Sequence, residues 1–305
     1  MLNRRKFLKN TAALTLGSLA LPKLMNADMF SESAYHVKKV GLQLYTFFPN
    51  FDKNVAGNLK KIADIGYKEI ESSFGMKGDF YGMKAKEFAK MVKDAGMSWT
   101  SHHVIGAPFK PPKDMDMSKI PKMPKMNNLR DNTQEVLDQA GEGGFKYLVC
   151  SSIPITTATE VKEAVVILNK AGEAANKAGK IFCYHNHDKE FADIEGIKPY
   201  DVFMSQIGAD VMKCELDLAW VSKAGVNPVD LFTKYPKRFP LWHVKDFDKD
   251  FKNLMPVGSG VIDFKTIFSH AKLAGLKHPF VEHDMPKDAI ASITSSINYL
   301  KQTIK

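Results

Sequence analysis

Between Val40 and Lys301 the chain repeats one arrangement, a helix closed by glycine that runs directly into a short apolar strand. Val40 to Tyr45 reads as a first strand, Asn54 to Ile65 as a helix closed by Gly66, and Tyr67 to Glu71 as the second strand. Lys84 to Ala95 is a helix stopped by Gly96, followed by the strand Met97 to His103. Helix Arg130 to Gly141 precedes strand Phe145 to Cys150, Ala158 to Ala178 precedes Ile181 to His185, and Pro199 to Ile207 precedes Val211 to Asp217. Pro228 to Tyr235 leads into Pro240 to Val244 and Phe264 to Ala274 into His278 to His283, and a helix over roughly Lys287 to Lys301 ends the chain. Glycine takes up the left-handed conformation at a helix end, and a helix so closed that feeds a strand is the join of a repeating βα unit. Eight such units in one domain predict a closed (β/α)8 barrel rather than an open doubly wound sheet. No Gly-x-Gly-x-x-Gly follows the first strand, which removes the usual dinucleotide reading. A length of 305 residues with 44% hydrophobic content fits one barrel as well as two smaller domains, so the rhythm decides where composition does not.

Much of the formal charge of +9 sits at the start of the chain. Residues 1–27 carry Arg4, Arg5, Lys6, Lys9 and Lys23 with no acid, and without those five the balance is 38 basic against 34 acidic residues, or +4. That balance is ordinary for an enzyme and gives no reason to expect a nucleic-acid partner. Asn3 to Lys9 precedes the apolar run Thr11 to Leu21, which is too short and too early for a spanning helix but has the layout of an export signal. It resembles a twin-arginine signal, which implies passage through the twin-arginine export machinery in the folded state with any cofactor in place. No Cys follows the apolar run, so no lipoprotein anchor in the membrane is expected. Residues 1–27 therefore read as the signal, and 28–305 as the barrel domain of a periplasmic protein.

Cys150, Cys183 and Cys214 each lie in an apolar strand-like run and read as reduced core residues, with no Cys metal site. The segment Val104 to Asn128 breaks the rhythm with Pro108, Pro111, Pro112, Pro121 and Pro124. It reads as an irregular loop after the third strand, on the face where a barrel carries its chemistry, either a substrate rim or a solvated loop without a role.

Four segments put metal-type side chains at predicted strand ends: Tyr184 to His187, Glu215 to Asp217, Trp242 to Asp246 and Val281 to Asp284. A barrel gathers consecutive strand ends into one ring, so four such ends suggest a metal site. Strand side chains alternate, which places Cys183, His185 and His187 on one face and Glu215 with Asp217 on one face. His243 ends the seventh strand and Glu282 the eighth. Two carboxylates with one or two imidazoles suit a divalent cation such as Mn²⁺, Co²⁺, Zn²⁺, Fe²⁺ or Mg²⁺. Of His102 and His103, one is expected to face the pocket. Glu71, Lys245 and Gln43 are further candidates for substrate contact, although a ring salt bridge at Glu71 and a backbone-bonded amide at Gln43 explain those two equally well.

At these residues the chain from about Val40 onward resembles the sugar phosphate isomerase/epimerase family, the xylose-isomerase-like TIM barrels. The resemblance implies four metal ligands at the ends of strands five to eight, usually Glu, Asp, His and Glu. Asp217 in Leu-Asp-Leu-Ala-Trp takes the Asp position, His243 in Trp-His-Val-Lys-Asp the His position, and Glu282 in Phe-Val-Glu-His-Asp the final Glu. Relatives often read Glu-Asn-His at the fifth strand, whereas this chain reads His185-Asn186-His187, so His185 stands in for a ligand that often doubles as a base. Trp220 stands where many relatives carry a His and joins the substrate-facing candidates. Endonuclease IV shares the barrel, but it uses a three-metal cluster with more ligands than these four strand ends supply.

The chemistry implied is proton abstraction next to a carbonyl through a metal-bound enediolate. His187 and Glu282 are the candidate base and acid, with His103 in reserve. Return of the proton to a new position or face makes the protein a sugar isomerase or epimerase, the leading expectation. Loss of a β-leaving group instead makes it a lyase or dehydratase on a keto-sugar or 3-keto-glycoside, and a non-catalytic sugar-binding barrel would hold no metal. An exported protein meets free sugars and glycosides rather than phosphorylated metabolites, so the expected partner is a small sugar or glycoside without phosphate.

Replacing Arg4 and Arg5 together with Lys is expected to hold the precursor in the cytoplasm, as read by fractionation and immunoblotting. An unchanged periplasmic yield would show that the signal was misread.

Overall fold

The computed structural model describes residues 39–108, 124 and 126–304. The export signal read over residues 1–27 and most of the irregular loop, residues 109–123, lie outside the described residues.

Eight parallel strands close into a barrel. In chain order they are β1 Gly41–Gln43, β2 Glu69–Ser72, β3 Ser98–Ile105, β4 Tyr147–Ser152, β5 Ile181–His185, β6 Lys213–Asp217, β7 Leu241–Val244 and, after a small antiparallel hairpin of β8 Asp246–Phe247 and β9 Leu254–Met255, β10 His278–Val281. Each barrel strand pairs with its sequence neighbours, and β10 closes the ring against β1, so the expected single (β/α)8 barrel is the fold. Among the described residues no helix is long and apolar enough to cross a membrane.

The helices form where the sequence places caps and stops. Asn54 accepts from the Gly57 N–H at the start of helix Val55–Ile65, and Gly66 ends it at φ 114°, a conformation that strains any residue with a Cβ. Thr157 caps the 20-residue helix Ala158–Lys177, and Asp288 caps the final helix Ala289–Thr303. The predicted helix Phe264 to Ala274 is two pieces, Phe264–Ser269 and Ala271–Ala274, closed by Gly275 at φ 85°. Strands begin one or two residues later than expected at several places, because the residues just after a helix complete its cap before pairing starts.

The interior of the barrel changes character along its axis. Tyr147, Val149, Cys183, Leu241 and Phe280 form a compact apolar plug across four strands. One step further toward the C-terminal strand ends, register sets Gln43 beside Glu71, His185 beside Glu215, and Asp217 beside His243. The strand alternation that gives an apolar layer at residues 241 and 280 thus gives a polar layer at 243 and 282. Above it, Asp246 accepts hydrogen bonds from the backbone N–H groups of Phe247, Gly258, Gly260 and Ile262, which fixes the hairpin against the barrel rim.

Candidate metal and active site

The strand ends carry two stacked layers of ionisable groups. The lower layer holds Glu71, His103 and Glu215, and the upper holds Asp217, Glu282 and Lys245. The rings of His185 and His243 bridge the two. Among the described residues two His and carboxylate groups have ligand atoms within 4.8 Å of one another, His103–His185–Glu215–His243 and Asp217–His243–Glu282.

In the lower layer Glu71 Oε1 lies 2.7 Å from the Gln43 amide, 2.6 Å from His243 Nε2 and 3.0 Å from His103 Nε2. Glu215 Oε2 lies 2.7 Å from His103 Nε2, 3.1 Å from His185 Nδ1 and 3.1 Å from His243 Nε2. Burial alone would raise the Glu71 carboxyl, yet His103 and His243 hold it well below its usual range. Burial, and then Glu71, push Glu215 up to about 7. Burial opposes charge on His103, but the two carboxylates bring it up to about 9. A pair of buried carboxylates is thus shared among imidazoles, as buried charge requires.

A carboxylate can only accept, so the ring nitrogens facing it, His185 Nδ1 and His243 Nε2, carry the protons. Their opposite nitrogens both face the upper layer: His185 Nε2 is 3.9 Å from Asp217 Oδ2, and His243 Nδ1 is 3.9 Å from Asp217 Oδ2 and 2.6 Å from Glu282 Oε2. Burial opposes charge on His243, but Glu215 and Glu282 on its two sides hold the ring protonated, well above the usual imidazole range, so a cation at Nδ1 would displace that proton. That is the arrangement of a metal-binding imidazole backed by a carboxylate. The lower layer therefore orients the upper one rather than forming a second site, because each ring has only one nitrogen free to coordinate.

Asp217 is set by its own chain. It ends β6 and caps the short helix Leu218–Lys223, with Oδ1 accepting from the N–H groups of Ala219 and Trp220 at 2.9 Å each. The cap occupies one oxygen and leaves Oδ2 for the site. Asp217 Oδ2, His243 Nδ1 and Glu282 Oε2 are all buried and converge on one another. This convergent set of one nitrogen and two oxygens fits a divalent cation. The Lys245 ammonium shares the same oxygens, at 3.2 Å from Asp217 Oδ2 and 2.7 Å from Glu282 Oε2, and also reaches Asp284 at 3.0 Å. Burial raises Glu282, but Lys245 and His243 overcome it and hold the carboxyl far below its usual range.

The remaining candidates divide by depth. Gln43 and Glu71 are fully buried and bonded to each other, behind the rings rather than at the mouth. His103 is locked between Glu71 and Glu215, while its neighbour His102 points outward to Ser72 and the Phe80 ring. His187 is the open imidazole, with its side chain 41% exposed, 4.9 Å from the His185 ring and 5.9 Å from Trp220. Burial, followed by Lys245, lowers it to about 4, so the ring is neutral at neutral pH. Trp220 presents a buried indole N–H without a partner, under Lys223 at 4.6 Å.

Sequence reasoning put Glu215 on the right face but gave it no role, and it passed over Asp284 and Glu190. Glu215 and Asp284 were accessible to the alternation of Glu215 with Asp217 and of Glu282 with Asp284. Glu190 lies in the turn Lys189–Phe191, where no strand period applies. It accepts from the His187 N–H and the Tyr184 hydroxyl, both at 2.9 Å, and so fixes the loop that carries His187.

A family model described as a xylose isomerase-like TIM barrel matches residues 59–303. Two solved structures described as sugar phosphate isomerase/epimerase from Parabacteroides distasonis are each 27% identical, with TM-scores of 0.73 and 0.71. They cover 90% and 88% of this chain and 97% and 99% of their own. A 3-keto-D-glucoside 4-epimerase from E. coli shares the fold at 15% identity and a TM-score of 0.61, over 87% of this chain and 99% of its own. Comparison with curated proteins finds no match.

Burial pushes the Glu190 carboxyl up to about 7 from an ordinary 4.5. The folded chain thus holds that proton more tightly than the unfolded chain, and the stability it contributes is lost as pH rises from about 4.5 to about 7. Glu190→Gln is expected to flatten this part of the pH profile, shrinking the stability difference between pH 5 and pH 8 by on the order of 1–3 kcal/mol in urea unfolding. An identical profile in the variant would show that Glu190 ionises normally.

Proposed function

Because the chain belongs to the xylose isomerase-like TIM barrel family, we propose that it is a divalent-metal-dependent sugar isomerase or epimerase that works by proton abstraction next to a carbonyl. The observation that carries this reading is the convergence of Asp217 Oδ2, His243 Nδ1 and Glu282 Oε2, buried and within 4.8 Å of one another, at three strand ends. The likeness to the two Parabacteroides distasonis structures described as sugar phosphate isomerase/epimerase supports the sugar assignment.

Asp217, His243 and Glu282 would hold the cation, with His185 Nε2 as the fourth ligand. When bound, the cation would polarise a substrate carbonyl and stabilise the negative charge that develops on its oxygen. His187 accepts the proton. Its ring is neutral, half exposed and on the same face as the ligands, and Glu190 holds its backbone. Glu282, a candidate acid by its strand-end position, is depressed by Lys245 and His243 and so remains ionised, which suits a ligand, and His187 returns the proton it has taken. Lys245 places a positive charge beside the reacting oxygens, and Trp220 covers the open side of His187. Export by the twin-arginine route belongs to the same proposal and places the enzyme in the periplasm, where the sugar carries no phosphate.

A second reading, elimination by a lyase, is favoured by one position. With His185 at the fifth strand, the site lacks the paired glutamates that could pass a proton between two faces of a carbon, and one-way loss of a leaving group needs no such pair.

Asp217→Ala is expected to lose the stoichiometric metal and the activity together, by elemental analysis and by deuterium exchange into sugars, keto-sugars and glycosides followed by NMR. Native protein without stoichiometric metal would remove the reading.

His187→Ala should keep the metal and lose exchange by on the order of 10²- to 10⁴-fold. Loss of metal in this variant would make His187 a ligand, and exchange at the native rate would make it structural.

A further inference from the structure

Two of the three converging ligand atoms already face a positive charge. Lys245 Nζ lies 2.7 Å from Glu282 Oε2 and 3.2 Å from Asp217 Oδ2. The lysine side chain is 3% exposed, so solvent screens that charge little. Burial opposes the charge, but Asp284, Glu282 and Asp217 hold the ammonium well above its usual range. A cation bonded to Glu282 Oε2 at about 2 Å would stand no more than about 5 Å from Nζ, where two positive charges repel strongly in a buried site. Cation and ammonium therefore draw on the same two carboxylates.

Asp284 is the group that makes the two compatible. It stands two residues beyond Glu282 and meets the same ammonium with both oxygens, Oδ1 at 3.0 Å and Oδ2 at 3.3 Å. Unlike Asp217 and Glu282 it lies outside the converging ligand set, and its side chain is 22% exposed. Burial raises its carboxyl to about 6, which leaves it ionised above about pH 7. The Trp220 ring, with its centre 5.8 Å from Nζ, adds a weaker attraction that takes nothing from the ligand oxygens. The flexible four-carbon stem of a lysine lets the ammonium shift among these partners without moving the strand. We propose that Lys245 and Asp284 form a charge switch that sets the cation affinity of the site: the ammonium competes with the cation for Asp217 and Glu282, and Asp284 receives it when the cation binds. This rests on the metal-dependent reading above and deepens it, since Lys245 then governs loading of the site as well as the charge beside the substrate. The two residues act with opposite sign. Removing the lysine strengthens cation binding and removing the aspartate weakens it, whereas a lysine that only held the carboxylates in place would weaken binding when lost.

The test is cation titration of the chelator-treated full chain by isothermal titration calorimetry at about pH 7.5, where Asp284 is ionised, with Mn²⁺, Co²⁺ and Zn²⁺ run separately. For the tightest-binding of the three, Lys245→Gln is expected to raise affinity by about tenfold or more, and Asp284→Asn, which keeps the side-chain volume, to lower it by about tenfold. In the double variant the loss caused by Asp284→Asn is expected to shrink to about twofold or less, because no ammonium is left for Asp284 to receive. Thermal melting shows that each variant folds and gives a second readout, since the cation should raise the melting temperature of Lys245→Gln by more than that of the native chain. An affinity in Lys245→Gln equal to or below the native one overturns the switch and leaves the metal reading standing. An equal Asp284→Asn loss in both backgrounds also overturns it, and makes Asp284 act on the cation directly. A native chain that binds none of the three cations overturns both.

Discussion

Five carboxylates, those of Glu71, Glu215, Asp217, Glu282 and Asp284, enter one end of a barrel whose other end is a dry plug of Tyr147, Val149, Cys183, Leu241 and Phe280. Taking an isolated carboxylate out of water costs several kcal/mol even after relaxation, so an array of this kind persists only where every negative charge has a positive or protonated neighbour. The chain meets the demand with His103 in the lower layer, His185 and His243 between the layers and Lys245 in the upper. Everything else about the site follows from that distribution. Glu71 and Glu215 lie where the imidazoles can donate to them, and the imidazoles are thereby turned so that their remaining nitrogens face Asp217 and Glu282.

The fold was legible because it is written twice, in the glycine-closed helices and in the apolar strands they feed. Gly66 and Gly275 mark helix ends in the sequence and take the left-handed conformation in the structure. The segments that were not legible are those whose conformation is set by contacts distant in sequence. Leu218–Lys223 became a helix because Asp217, committed to the site, also caps it, and a six-residue helix has no periodicity to announce it. The hairpin after β7 exists because buried Asp246 collects four N–H groups from as far away as Ile262, a pattern with no local signature.

The site was legible in its outline for the same reason that strands are: alternation fixes which residues share a face, and closure brings the ends together. Asp217, His243 and Glu282 could be gathered by counting in twos. Depth could not, since alternation tells inward from outward but not how far from the strand end a side chain functions. Gln43 and Glu71, read as pocket residues, sit one layer beneath the ligands, and whether a buried glutamate meets substrate or an imidazole depends on the register between β2 and strands on the far side of the ring. His103 shows the same ambiguity, inward as expected and yet enclosed by two carboxylates.

The two-layer construction also explains why a histidine at the fifth strand is compatible with this barrel. A glutamate at position 185 would bring a further carboxylate to within a few ångströms of Glu215 and Asp217, and nothing in the lower layer could donate to it beyond the imidazoles already shared. A histidine instead spends its Nδ1 proton on Glu215 and offers Nε2 toward Asp217, so it adds a neutral donor to one layer and a neutral acceptor to the other. His185 and Glu215 are register partners on adjacent strands, which makes that exchange a local one. The residue that departs from the family pattern and the glutamate that sequence reasoning gave no role are therefore two halves of a single arrangement.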